Sequence, residues 1–459
     1  MTDRILGIDF LWANRKIIRE HSALETTRKR FIELGTNTVQ LAVLGQRVIV
    51  TSEPDILKTV LALEFKSFCL PDGRKKIMVP FLGEGIFTTD GIAWQHSRDM
   101  LRPIFVRSQL VEDLEMFERR VNHLIEAIPK DHSTVDLQTL FFRFTLDLAT
   151  EFLFGESTNC LLPGRESESS AKFVEAFNYC QSFGDGDGMN PLSILLRFRA
   201  FKKDFVDELI KKALSNRQMA AEKSTTEPGR VTFLSQLAAE TTDRVKIRSE
   251  LLNLLLAGRD TTAALMANVF FELSRRPEMQ SRVRREIDTC IGAGLPTFEG
   301  IKSMKYLRAV FNESLRTHPI VPENSRQAVQ DTVLPLGGGE DGKSPALIKK
   351  GQLLAWSSYS MHRRGDLYGE DAAEFRPERW LDDANEKGLR VGWEYLPFNG
   401  GPRICIGQQF ALLESSYVVI RILQSFSHIE SRDAEPWREK LMLTCISLGG
   451  CKVALTPNA

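Results

Sequence analysis

The sequence has no surplus of either charge: 60 lysines and arginines stand against 60 aspartates and glutamates, a formal net charge of zero with the seven histidines neutral. That balance removes any global electrostatic argument for binding nucleic acid or another polyanion. Cysteines are few. Cys69, Cys160, Cys180, Cys290, Cys405, Cys445 and Cys451 are scattered, odd in number, and form no CxxC or zinc-like Cys/His grouping. A disulfide framework does not fit this usage, and a reducing compartment does. Long hydrophobic runs are missing too. MTDRILGIDFLWANRKIIREH holds no apolar stretch of signal-peptide length, and nowhere do about 18 apolar residues follow one another, so these residues contain no membrane span. Repeats, low-complexity tracts and linkers are also absent. One helix-rich domain with small sheets over residues 1–459 is therefore favoured over the several that length alone suggests.

What is present is an ordinary globular composition, 42% hydrophobic and 26% charged, in a chain long enough to enclose a sizeable ligand. Val39 to Thr51 reads as two strands interrupted by Gly45 and Gln46 in the manner of a hairpin. Apolar residues at spacings of three and four predict helices over Gln109–Ile128, Asp136–Phe154, Leu195–Lys223, Lys246–Arg275, Glu278–Ile291 and Met304–Thr317, with Pro277 marking the end of the most apolar one. After Pro319 the texture turns to short strand-like pieces such as Ala346–Tyr359. A last helix follows from about Gln408 to Phe426, then a strand-like stretch over Leu441–Leu455. DGDG at Asp185–Gly188 and GGGEDG at Gly337–Gly342 read as surface turns; the second lacks the Lys-Ser/Thr and following helix of a phosphate-binding loop.

The most informative segment is PFNGGPRICIGQQF, Pro397 to Phe410, where Phe398, Gly401, Arg403, Cys405 and Gly407 stand at the spacing FxxGxRxCxG before an amphipathic helix. Each has a chemical reason to be there if the loop holds a haem. Unpaired amides and the helix dipole favour the thiolate at Cys405. Gly401 and Gly407 admit backbone close to a flat macrocycle, Arg403 offers a fork to a propionate, and Phe398 shields the sulfur. Single cysteines in Gly-rich turns are more often structural. The five-position pattern, however, arises by chance on the order of once in ten thousand sequences of this length.

A second feature breaks a local rule. The apolar helix LLNLLLAGRDTTAALMANVFFEL carries Ala257 to Thr262, AGRDTT, which places Gly, Arg, Asp and two Thr in a greasy segment. Such breaks tend to sit at functional sites, and Thr261 and Asp260 are the candidates here. The bland alternative is a polar kink in which the Thr hydroxyl bonds back to the preceding turn. Glu313 and Arg316, in ESLR, share a helix face at i and i+3, a spacing that alone means little.

The cysteine loop resembles the haem-binding signature of the cytochrome P-450 superfamily, and the resemblance extends from about Asp9 to Pro457, including the family's AGxDTT pattern. It implies a mainly α fold with small sheets, a single haem-binding domain, and haem b (iron protoporphyrin IX) with Cys405 as metal ligand. That thiolate promotes O–O cleavage. It also implies roles for Thr261 and Asp260 in catalysis, and haem contacts from Arg403, Phe398, Trp94 and Arg98 (WxxxR) and Arg326. In FRPERW, Arg379 matches the arginine that joins Glu313 and Arg316 in bracing the loop. LGEGIFTTDGIAWQHSRDMLRP, LPLGGGEDGKSPALIKKGQ and YSMHRRGDLYGEDAAEFRPERW are most similar to fungal enzymes that hydroxylate n-alkanes and fatty acids.

The same resemblance implies a monomer working at the endoplasmic reticulum membrane surface, with peripheral membrane contact or a cytoplasmic setting left open. Electrons come from NADPH through a reductase, with cytochrome b5 as a second donor. Arg98, Arg102, Arg107 and Arg403 are candidates for the docking patch. Relatives carry an N-terminal membrane anchor, and the chain is expected to start just after one. A pocket is expected along Leu82–Phe87, before Ala257, along Ile320–Glu323 and around Cys445–Ser447, mostly apolar as an alkyl or polyketide chain requires. Glu323 departs from that character. Three readings stay open beside fatty-acid or alkane hydroxylation: a tailoring oxidase of fungal secondary metabolism, a haem protein that binds a ligand without oxidising it, and a haem enzyme for peroxide rearrangement or dehydration. His96 and the other histidines have no metal-spaced neighbour and receive no role.

Overall fold

The protein is described by a computed structural model covering residues 16–43, 45–105, 114–162, 164–181, 191–201, 203–223, 232–339, 341–381, 389 and 392–458. The helices that carry the argument are α1 (Ala23–Leu34), α2 (Gly91–Leu101), α3 (Leu137–Phe154), α4 (Glu168–Gln181), α5 (Arg244–Leu273), α6 (Lys305–Thr317) and α7 (Gln408–Ser425). The chain forms two compact units, one from Met1–Asp72, Met304–Gln408 and Glu435–Gly449, the other from Gly73–Ser303, Gln409–Ala434 and Gly450–Ala459. The expected class, mainly α with small sheets, is the one observed.

The first unit is organised on a five-stranded sheet. Thr38–Val43 and Gln46–Thr51 form the expected hairpin; the second strand runs parallel to Leu353–Ser357, which pairs antiparallel with Glu323–Ala328, and Phe68–Cys69 closes the edge. Ile49, Phe68, Leu354 and Trp356 pack with Ile56, Val60 and Leu396 in one buried cluster. The short helix Pro54–Lys58 continues into a π-helical turn, Thr59–Leu63, closed by the Glu64 amide donating to the Thr59 carbonyl at 2.7 Å. Such turns recur where a helix must aim one group out of register.

In the second unit α5 lies along α3, almost wholly buried, as its near-continuous apolar sequence requires. Asp243 starts it by accepting from the amides of Val245 (2.9 Å) and Lys246 (3.1 Å). Asp136 caps α3 in the same way, accepting from Gln138 at 3.0 Å. A phenylalanine cluster fills the space beside α4: Phe81 stacks on Phe198 (4.8 Å) and meets Phe201 edge-on (4.9 Å).

Several elements differ from the periodicity reading. The single helix over Leu195–Lys223 is two, Pro191–Ala200 and Asp204–Lys223, and Phe201, after the first of them, meets Phe81 edge-on. Pro277 does more than end α5; it opens Pro277–Cys290, where its missing N–H costs nothing. The C-terminal stretch divides into Glu439–Leu441 and Cys445–Ser447 in the first unit and Lys452–Pro457 in the second. Gly337 and Gly338 end the strand Thr332–Gly338, which pairs antiparallel with Ser344–Ile348. DGDG at Asp185–Gly188, Arg107 and the start of the Gln109–Ile128 helix lie outside the described residues. Helices α1, α2 and α4 went unread, their polar content having masked the period.

Candidate functional site

The predicted residues fall in both units. In the first, Cys405 sits three residues before α7, and its residue is exposed. Its amide donates to the Phe398 carbonyl at 2.9 Å, so the loop folds back and brings these two predicted residues together. Two contacts shape the turn. A Cβ added at Gly400 would stand 2.7 Å from the Trp393 ring, and one at Gly401, with φ at +65°, would stand 1.8 Å from the Leu61 carbonyl oxygen. Gly401 is therefore required by the π-helical turn behind the loop, a partner that the sequence reading, which assigned the glycine to a macrocycle, did not foresee. Asn399 also adopts a positive φ, +64°, which Asn tolerates. Its side-chain amide donates to the Arg403 carbonyl at 3.4 Å.

The segment leading into this loop is held by a buried polar network. The Glu313 carboxylate, fully buried, accepts from Arg316 Nε and Nη2 (both 2.8 Å), Arg379 Nε (3.0 Å), Trp380 Nε1 (2.9 Å) and the Arg376 amide (2.7 Å). The expected trio is thus assembled. Burial alone would raise the Glu313 carboxyl, but the hydrogen bonds and charge of Arg316, with Arg376 and Arg379, hold it below the usual carboxylate range. Arg316 also donates to the carbonyls of His362, Ala372 and Glu374. Tyr395 Oη donates to the Asn312 carbonyl at 3.0 Å, and His362 Nε2 accepts the Leu396 amide at 3.0 Å. Sequence reading assigned His362 nothing. Burial pushes its imidazole down to about 3, so it is neutral and able to accept that bond. No local signal reveals this, because the bond spans 34 residues.

Arg326 is buried on Glu323–Ala328, its guanidinium 5.4 Å from the Trp356 ring centroid. The same strand opens with Glu323. By surface area Glu323 is exposed, yet desolvation by surrounding protein, with Glu439 nearby, pushes its carboxyl up to about 7. The Cys445 amide donates to the Ile320 carbonyl at 2.9 Å, which joins two of the expected pocket segments within this unit.

In the second unit α2 carries Trp94, buried, and Arg98, whose guanidinium lies 5.9 Å from the Trp94 ring centroid. Between them Ser97 Oγ donates to Glu250 Oε1 at 2.5 Å and accepts from Lys246 Nζ at 2.9 Å, so α2 is clamped to α5 by three residues that the sequence reading passed over. The Leu82–Phe87 segment is held to α5 as well: the Phe87 amide donates to Asn253 Oδ1 at 3.1 Å, and Asn253 Nδ2 donates to the Leu82 carbonyl at 3.2 Å. On α5, Thr261 Oγ1 donates to the Ala257 carbonyl at 2.6 Å, the bond the alternative reading of AGRDTT describes. Asp260 is buried and ion-paired with Arg259 at 2.8 Å. Burial raises its carboxyl above the usual carboxylate range, and the charge and hydrogen bond of Arg259 offset only part of that.

These residues fit a haem on structural grounds. Among the described residues no three His, Cys, Asp or Glu side chains meet to hold a bare metal ion. Cys405 offers a soft sulfur donor on an exposed, tightly turned loop, and a cysteine thiolate in such a place suits a haem iron. No helix among the described residues is long and apolar enough to cross a membrane.

Comparison with known proteins agrees. The family model described as Cytochrome P450 matches residues 10–449. Cytochrome P450 monooxygenase himC of Aspergillus japonicus is 43% identical over 99% of this chain and 82% of its own length. Cytochrome P450 monooxygenase fsdH of Fusarium heterosporum is 42% identical over 98% and 80%. Cytochrome P450 52A5 of Candida maltosa is 42% identical over 93% and 84%. With its haem-iron cofactor and oxidoreductase chemistry implied by that match, the chain belongs to the cytochrome P450 family.

Proposed function

We propose that the protein is a haem-thiolate monooxygenase in which Cys405 ligates haem b, inserting one oxygen atom from O2 into a C–H bond of a lipophilic substrate. The whole chain acts as one catalytic domain. When bound, the haem supplies oxygen activation at an iron made electron-rich by its thiolate. The chain's own residues do the rest. Phe398, whose carbonyl accepts the Cys405 amide, is placed to keep water from the sulfur once the haem is bound. Arg403, Arg326, Arg98 and Trp94 supply charge-assisted partners for carboxylates taken out of water. Thr261 holds a hydroxyl proton that Asp260 can replace. The observation that carries this reading is Cys405, an exposed residue on a loop turned by its own amide bond to Phe398. The test is the reduced carbon monoxide difference spectrum. A Soret band at the thiolate position that is lost in Cys405→Ser supports it, and a band at the histidine position refutes it.

Electrons come from NADPH through a reductase, with cytochrome b5 as a second donor, and the working place is the endoplasmic reticulum membrane surface. The substrate is an alkane, a fatty acid or a related alkyl or polyketide chain. Glu323 favours the second reading, a tailoring oxidase acting on a neutral polyketide, because once ionised it repels a carboxylate. A spectral titration decides: a shift to high spin with lauric acid supports the fatty-acid substrate, and a shift only with a neutral polyketide supports the other.

A further inference from the structure

The acid that sequence reading assigns to proton supply is tied to a residue 81 positions away, through its own neighbour. Arg259 Nη1 donates to Asp260 Oδ1 at 2.8 Å, and Arg259 Nη2 donates to Asn178 Oδ1 on α4. The guanidinium is almost fully buried between two rings, 5.0 Å from the centroid of Phe142 on α3 and 5.6 Å from that of Phe177 on α4. Asn178 itself is exposed. The chain Asn178–Arg259–Asp260 thus leads from the surface of α4 to a carboxyl buried in α5.

Helix geometry gives the chain a direction. Successive residues are about 100° apart around an α-helix, so Arg259 and Thr261 project to opposite sides of Asp260. A carboxylate bonded to Arg259 leans away from Thr261. Arg259 cannot itself lose a proton, and the two rings and Asn178 hold it in place, so it acts on Asp260 as a fixed charge. Beside Arg259 lies Cys160, in the loop after α3, and beside Cys160 lies Asp147 of α3 itself. The Cys160 thiol feels the Arg259 charge, yet burial and Asp147 push it up to about 12 and keep it neutral. The Asp147 carboxylate is engaged by Thr158 Oγ1 (2.6 Å) and the amides of Cys160 (2.8 Å) and Leu161 (2.9 Å). Neither competes for Asp260.

We propose that Arg259 and Asn178 are positioning residues for proton supply: anchored by Asn178, Arg259 opposes protonation of the Asp260 carboxyl and holds it turned from Thr261, and so sets the pH at which Asp260 takes up the proton it passes on. The inference rests on the monooxygenase reading for its consequence, but its core, the coupling of Asp260 to Arg259 and Asn178, can be read without turnover.

The experiment uses the haem-loaded full chain with Arg259→Met, Asn178→Ala and Asp260→Asn. Infrared difference spectra against Asp260→Asn isolate the Asp260 carboxyl stretch and give its titration midpoint. Removing an opposite charge at this range moves a carboxyl midpoint by about ten- to a thousandfold in proton concentration. Arg259→Met is expected to move it upward by that amount, and Asn178→Ala upward by a smaller factor. Product formed per NADPH, measured against pH, is expected to shift in the same direction for both variants. A purely packing role for Arg259 lowers stability without moving either midpoint. Asn178→Ala changes an exposed amide, so it tests the chain even if Arg259→Met does not fold. An Asp260 midpoint unmoved in Asn178→Ala, or in Arg259→Met where it folds, overturns the proposal. A protein that oxidises nothing overturns the functional reading and leaves the infrared result standing.

Discussion

Glu313→Gln isolates the brace behind the cysteine loop. The wild-type carboxylate accepts five hydrogen bonds from Arg316, Arg379, Trp380 and the Arg376 amide, and both arginine side chains are almost wholly buried. Glutamine keeps the shape but removes the charge and replaces one acceptor oxygen with an NH2 that faces donors. Two guanidinium charges then stay in the interior with one neutral amide oxygen, backbone carbonyls and Asp371 as partners. Breaking a buried pair on one side costs about 3–5 kcal/mol. At about 2.1 cal/mol/K per residue, unfolding 459 residues carries an entropy of about 1 kcal/mol/K, so cooperative melting should fall by about 3–5 °C. The assay is thermal unfolding of the haem-loaded protein followed by circular dichroism. Asp366→Asn, at a largely exposed partner of Arg364, serves as control and should shift melting by less than about 1 °C, as surface pairs contribute about 0–1 kcal/mol. A Glu313→Gln variant that melts with the control refutes the claim that this network bears the loop's stability.

The same residue sets an acid limb. Because the folded carboxyl of Glu313 lies below its unfolded value of 4.5, its contribution is complete above that pH and is lost as pH falls through the folded value; Glu118, Glu151 and Asp371, lowered likewise, steepen the loss. Urea midpoints measured from pH 6 downward should therefore decline below about pH 4.5, and less steeply in Glu313→Gln. Gly401→Ala combines a left-handed backbone with a Cβ placed against the Leu61 carbonyl, and should cost several-fold more than the roughly 0.5–1 kcal/mol gained when a glycine in compatible geometry is replaced, read as a lower urea midpoint and faster haem loss. Asp243→Ala removes the cap of α5 and should cost about 1 kcal/mol by the same urea assay without altering the haem spectrum. Thr261→Ala should divert NADPH to peroxide; unchanged coupling with a good substrate means the hydroxyl does nothing beyond its bond to Ala257.

Features that depend on short stretches of chain were legible in advance. The hairpin at Val39–Thr51, α3, α5, α6 and α7 follow from apolar period and caps, each a matter of neighbours within a few residues. FxxGxRxCxG and AGRDTT stand out in the sequence for a related reason, since their residue types depart from local propensity, although Gly401 also answers to the Leu61 carbonyl and Thr261 bonds back to Ala257. The Glu313, Arg316 and Arg379 network was readable through resemblance, since nothing in an i, i+3 pair says that a residue 66 positions later completes it.

The rest depends on close approach between distant segments. Gly401 needs the Leu61 carbonyl, His362 needs the Leu396 amide, Ser97 needs Glu250, and Arg259 needs Asn178. None of these partners is marked by spacing, because burial and the satisfaction of polar groups are set by which surfaces the fold brings within about 3 Å. Charge states follow the same rule. The chain as composed offers glutamates with one ordinary affinity for protons; folding lowers Glu313 among arginines and raises Glu323 to about 7 beside Glu439, since desolvation and neighbouring charge exist only once the chain has packed.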